Sequence, residues 1–172
     1  WDLIRGQEYD TWKPTVSPNT QRYKKLYSNK NYNHPSENNR LQHQVNRDYI
    51  QIEEEHPGPR CVKAALEFLE VNQNSDNWFL QLECFDPHEP FFVPDHYKEK
   101  LPESGYNGPV LDWPRYGPAE YAPEEVAELR RNYHALVAMC DTHFGHLLDY
   151  LDRHEMWKDT AVIVTTDHGF LL

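Results

Sequence analysis

Near the end of the sequence an apolar run, AVIVTT (161–166), delivers the chain to adjacent Asp167 and His168, with Gly169 behind them. A carboxylate and an imidazole splayed by a tight turn can bind one divalent cation. Such an oxygen-rich pair suits Ca²⁺, Mg²⁺ or Mn²⁺ better than structural Zn²⁺, whose closed sites usually add cysteine. Taken alone, the tripeptide is also a strand-ending turn in which the aspartate caps the backbone and glycine supplies a positive φ. The second constellation is Asp86-Pro87-His88-Glu89-Pro90. Prolines on either side fix the direction of His88, which can aim its imidazole at an anionic oxygen or a leaving group. It can equally be bonded to Glu89 or to a carbonyl. Asp86 is expected to orient this loop. The Asp167–His168 pair is expected to be half of a site completed outside these 172 residues.

Two strands must deliver these loops. WFLQLECF (78–85) precedes the first loop and AVIVTT precedes the second. The latter is apolar on both faces, as in a parallel sheet covered by helices. Each strand follows a predicted helix. In PRCVKAALEFLEVNQ, Val62, Ala65, Leu66 and Leu69 recur at helical spacing after Pro59. The longer helix opens at Pro123, where Glu124 and Glu125 complement the dipole, and reaches about His154. Its stripe steps by three or four through Leu129, Leu136, Cys140, Leu147 and Leu151. The order helix, strand, proline-rich loop, helix, strand predicts an α/β fold with right-handed crossovers. In such sheets ligands bind at the carboxyl ends of the strands, so the two loops are expected to share a rim.

Residues 1–56 form a polar, loop-rich excursion, and 57–172 the α/β core of a single partial domain. Trp1, Ile4, Tyr9 and Trp12 suggest that the first dozen residues pack on something. The chain opens on WDLIRGQE without an initiator Met, so it is expected to begin mid-protein. No apolar run approaches the ~18 residues of a membrane span. The 28 acidic and 17 basic residues give a net charge of −11, which argues against a nucleic-acid surface. An anionic substrate stays compatible, because a bound cation and local donors outweigh a distant field.

Cys61, Cys84 and Cys140 form no CxxC and sit in apolar patterns, as buried free thiols. Thiols of this kind favour a cytoplasmic location. His143 and His146 flank the stripe of the long helix and are expected to be solvated or capping. His34, His43 and His56 lie in polar loop, and Glu53 to Glu55 read as a solvated run.

FDPHEPF, together with YHALVAMCDTHFGHLLDYLDRHEMWKDTAVIVTTDHGFLL, resembles the catalytic domain of type I sulfatases, within the alkaline-phosphatase-like superfamily. IRGQEYDTW near the start looks like a segment of bacterial members. The resemblance implies an α/β/α sandwich with a mainly parallel sheet, and hydrolysis of sulfate esters at a Ca²⁺ (alternatively Mg²⁺ or Mn²⁺) site. It places Asp167 and His168 as metal ligands and His88 as the catalytic, sulfate-contacting histidine. The family's first aspartate ligands and its C-x-P-x-R segment, whose Cys or Ser becomes formylglycine, have no counterpart here. The nucleophile is therefore expected outside this chain, and the fragment alone is expected to be inactive and prone to self-association.

The implied substrate is a sulfate ester, with a sulfated carbohydrate as one option. One alternative is a phosphonate monoester or phosphodiester hydrolase of the same superfamily. The other is a non-catalytic pseudoenzyme that binds sulfated glycan through the aromatic-rich loop from Phe91 to Trp113.

Overall fold

A computed structural model describes residues 26–31, 43–118 and 120–170. The expected packing of Trp1, Ile4, Tyr9 and Trp12 lies outside these residues, as does His34.

Helix α1 spans Pro57–Asn72 and buries Val62, Ala65 and Leu69. Proline stands at its first position, where a missing N–H costs nothing. The four-residue α2 covers Asp95–Lys98. Helix α3 runs over 31 residues, Pro123–Arg153. The Glu125 carboxylate accepts from the Ala122 N–H at 2.7 Å and from Lys30 Nζ at 2.6 Å, closing the first turn of α3. Helix α3 stops where Glu155 turns left-handed, at φ 52°.

Two cores divide this long helix. Its first half packs Ala135, Leu136 and Met139 on Phe91, Val93 and Tyr97 of the proline-rich loop. Its second half packs Leu147, Tyr150 and Leu151 on Ala65 and Leu69 of α1, with Trp78, Leu80 and Leu82 closing over them. Burying each such side chain contributes roughly 1.5–3 kcal/mol. Helix α3 is thus the beam that carries both loops.

The predicted strands differ from expectation. Residues 78–85 and 160–166 form neither helix nor turn, and no named strand forms among the described residues; the lone parallel bridge there pairs Tyr27 with Val110. The first segment keeps a β alternation, with Trp78, Leu80, Leu82 and Cys84 half-buried and Phe79, Gln81 and Glu83 exposed. No backbone hydrogen bond joins the two segments among the described residues, and both line one open cavity of about 1900 Å³. Extended backbone gains a sheet only when a partner lies within reach of its N–H and C=O groups. Ile163 and Val164 accordingly stand 88% and 71% exposed.

The polar excursion is better ordered than its composition suggests. Residues 43–47 are helical, and Arg47 is buried against Asp112 at 2.6 Å. Asn31 accepts the Asp112 and Trp113 N–H groups at 3.1 Å each. Polar side chains are buried here because each meets a partner. His143 is a further correction. It is mostly buried, and its Nε2 lies 2.8 Å from Glu53 Oε1, which also accepts from Tyr97 at 2.7 Å. His96 lies 3.2 Å from the other oxygen. Glu53 therefore ties α2 to α3 instead of lying in a solvated run.

Candidate functional site

The first loop is held from both ends. Asp86 is buried beside the start of α1, where a Cβ on Gly58 would lie 2.7 Å from its Oδ2. Only glycine permits that approach, and the carboxylate gains from the positive end of the helix. The Asp86–Pro87 and Glu89–Pro90 peptide bonds, on either side of His88, are both cis. Beyond them, Phe91 N–H donates to Asp112 O at 2.7 Å. Since Asp112 is gripped by Arg47 and Asn31, the polar excursion anchors this loop from behind.

Between those anchors the His88 ring packs on Phe85, with centroids 4.5 Å apart. Its Nδ1 lies 2.8 Å from Glu89 O and 3.3 Å from Glu89 Oε2. Both neighbours are acceptors, so Nδ1 carries the proton and donates, leaving Nε2 available to a ligand. The Glu89 side chain is fully buried, and its Oε1 accepts from the Tyr116 hydroxyl.

The second loop reaches the same place. The His88 and His168 rings meet edge to face, with centroids 5.9 Å apart. Phe91 and Tyr133 hold Phe170, at centroid distances of 5.3 and 6.2 Å. Two aromatic contacts therefore draw together loops that leave unpaired segments. The rim forms through loop packing and not through a ladder between the strands that feed it.

Asp167 and His168 are exposed along this rim. Asp167 Oδ1 accepts the His168 N–H at 2.9 Å, which splays the two side chains around one turn. His168 Nδ1 donates to Gly169 O at 3.0 Å, so Nε2 is the nitrogen left for a metal. Asp167 Oδ2 stands 3.9 Å from that nitrogen. The distance fits two ligands of one hard cation, and a carboxylate with a neutral imidazole is suitable chemistry. Among the described residues no group of three metal-capable side chains converges. These two residues supply a pair of ligands and not a shell.

Sequence reasoning singled out His88, Asp167 and His168 but missed their supports. Gly58, Phe91, Phe170 and Tyr116 are far from His88 or from the Asp167–His168 pair in sequence or lie outside their loops, and the Glu89 bond to His88 was expected but the burial of its carboxylate was not. The one local signal for the aromatic pair is a phenylalanine shortly after each loop, at 91 and at 170. Cys84 and Cys61 lie close by, their thiols hydrogen-bonded to each other. All three cysteines are free and half-buried.

The Sulfatase family matches the chain over residues 1–172. Mouse iduronate 2-sulfatase is 29% identical over 147 residues, covering 67% of this chain and 26% of its own length. The human iduronate 2-sulfatase is 26% identical over 144 residues, with the same coverage, 67% and 26%. The multifunctional alkaline phosphatase superfamily protein PehA of Trinickia caryophylli is 25% identical over 119 residues, 54% of this chain and 23% of its own. The chain thus spans about a quarter of the length of these curated relatives. No solved structure matches it.

Proposed function

The chain belongs to the sulfatase family, and on that footing we propose that it is the central part of a metal-dependent catalytic domain that hydrolyses a sulfate ester. The observation that carries the proposal is the meeting of His88 and His168, 5.9 Å apart, at the ends of two segments that do not pair. The fold of the whole domain is taken to be the alkaline-phosphatase-like α/β/α sandwich with a mainly parallel sheet. Residues 78–85 and 160–166 would serve as its strands, in keeping with the β alternation of the first.

In this reading Asp167, through its carboxylate, and His168, through Nε2, hold the cation, Ca²⁺ before Mg²⁺ or Mn²⁺. When bound, the cation neutralises charge developing on the sulfate oxygens. His88 presents Nε2 to a sulfate oxygen or the leaving alcohol, because Nδ1 is committed to Glu89. Donation from Nε2 with Nδ1–H already engaged requires the doubly protonated ring, the form that pairs with the Glu89 carboxylate. The formylglycine nucleophile is supplied from outside these residues. A sulfated carbohydrate is the favoured substrate class, since two relatives are named iduronate 2-sulfatases.

Replacing His88 by Ala in the full-length protein should lower turnover of an aryl sulfate by ~10²-fold or more. Unchanged kinetics would remove His88 from the site. The match to PehA supports a second reading, hydrolysis of phosphonate monoesters or phosphodiesters. Turnover of an aryl phosphonate monoester above that of the aryl sulfate would favour it. The exposed, unpaired Phe79, Ile163 and Val164 support self-association of the 172-residue chain. A single monomer boundary in sedimentation velocity would count against it.

A further inference from the structure

We propose that Glu89 is the positioning residue for His88, gripping the imidazole with both its carbonyl and its carboxylate so that Nε2 keeps one direction. The inference rests on the reading of His88 as the group that meets the ester. Three observations lead to it. The Glu89 side chain is 1% exposed, a costly place for a carboxylate without a partner. Its Oε1 is occupied by the Tyr116 hydroxyl. Its Oε2 accepts no hydrogen bond among the described residues, yet lies 3.3 Å from His88 Nδ1.

A carboxylate kept only to fill space would be replaced at lower cost by an apolar side chain of similar size. The Tyr116 hydroxyl locks the carboxylate rotamer, and the carboxylate in turn lies against His88 Nδ1, the nitrogen already engaged by the Glu89 carbonyl. Contacts with the Phe85 and His168 rings restrict its tilt. Glu89 touches neither substrate nor metal in this arrangement and acts only through His88.

That dependence sets the test, a double-mutant cycle in the full-length enzyme with Glu89→Gln, His88→Ala and both together, on an aryl sulfate and an aryl phosphonate monoester. On whichever ester is turned over, Glu89→Gln should lower kcat by about tenfold or more and leave KM within about twofold. In the His88→Ala background the same change should alter kcat by less than about twofold. Tyr116→Phe, which spares the buried carboxylate, should show the same pattern at about threefold, and it keeps the test open should Glu89→Gln fold poorly. A normal loss in His88→Ala with an equal further loss from Glu89→Gln overturns the inference alone. An undiminished His88→Ala enzyme overturns the reading of His88 and the inference with it.

Discussion

Phe91 and Phe170 meet edge to face with ring centroids 5.3 Å apart, and this contact joins the two loops that carry the candidate site. Phe91 is fully buried and belongs to the core of α3; Phe170 is a half-buried ring packed against that core. The fully buried partner therefore positions the half-buried one, and the Asp167–His168 turn inherits its place from Phe91 and Tyr133.

Phe170→Ala should release that turn while removing only a partly buried ring. Stability should fall by roughly 1–3 kcal/mol, less than the 3–5 typical of a fully buried phenylalanine. Turnover of a sulfate ester should fall by about tenfold or more, because positioning is lost with few core contacts. Urea unfolding and steady-state kinetics on the full-length protein check both halves. A stability loss with intact turnover would show that the ring does not place Asp167 and His168 for the reaction.

Gly58→Ala tests the other anchor. The new methyl carbon would lie 2.7 Å from Asp86 Oδ2, a contact that forces the buried carboxylate to move. Although alanine favours a helix over glycine by about 1 kcal/mol, the change should destabilise by roughly 1–3 kcal/mol. A rise in the urea midpoint would mean that Asp86 relaxes freely.

The pH dependence follows from buried histidines. Burial pushes the His56 imidazole down to about 4, with Glu53 and Glu55 pulling up and Arg47 and His143 pushing down. Burial likewise holds His43 well below its usual value, with Arg47 acting in the same direction. The unfolded chain takes up these protons near pH 6.5 while the folded chain resists, so stability is fully present above that pH. It should fall as the pH drops from about 6.5 toward 4, by a few kcal/mol from His56 alone. Desolvation raises the Glu53 carboxyl, but bonds from Tyr97 and His143 win and hold it below its usual value. Its contribution is present above about pH 4.5 and lost below, the same direction at a lower pH. His56→Phe, which keeps a ring over Phe92, should flatten the upper part of the profile. Urea midpoints at several pH values would show it, and a wild-type midpoint independent of pH between 6.5 and 4 would refute the account.

Thiol reactivity should be ordered. The bond from Cys84 holds the Cys61 thiol below the ordinary value, while the same bond pushes Cys84 up. Burial pushes Cys140 up to about 12. Iodoacetamide near pH 8 should therefore modify Cys61 first, and Cys84→Ala should slow that reaction. Peptide mass mapping over time reads the order; Cys140 reacting first would contradict it.

The sequence by itself determined the elements whose cause is local. The apolar spacing from Leu129 to Leu151 set α3, Pro123 marked its start, and the residue types of His88, Asp167 and His168 marked the chemistry; α1 begins at Pro57, two residues before the Pro59 that the sequence suggested. Their adjacency was also expected, but for another reason: neighbouring strands in one sheet. Tertiary structure decided how they meet. Segments 78–85 and 160–166 carry strand sequences without a ladder, because a ladder needs a second backbone bonded to each and no backbone hydrogen bond joins these two among the described residues. The polar stretch around Arg47 looked like loop because its partner, Asp112, lies 65 residues further on. Glu89 was legible as a neighbour of His88, but not as a buried carboxylate, for burial depends on what the rest of the chain brings to cover it.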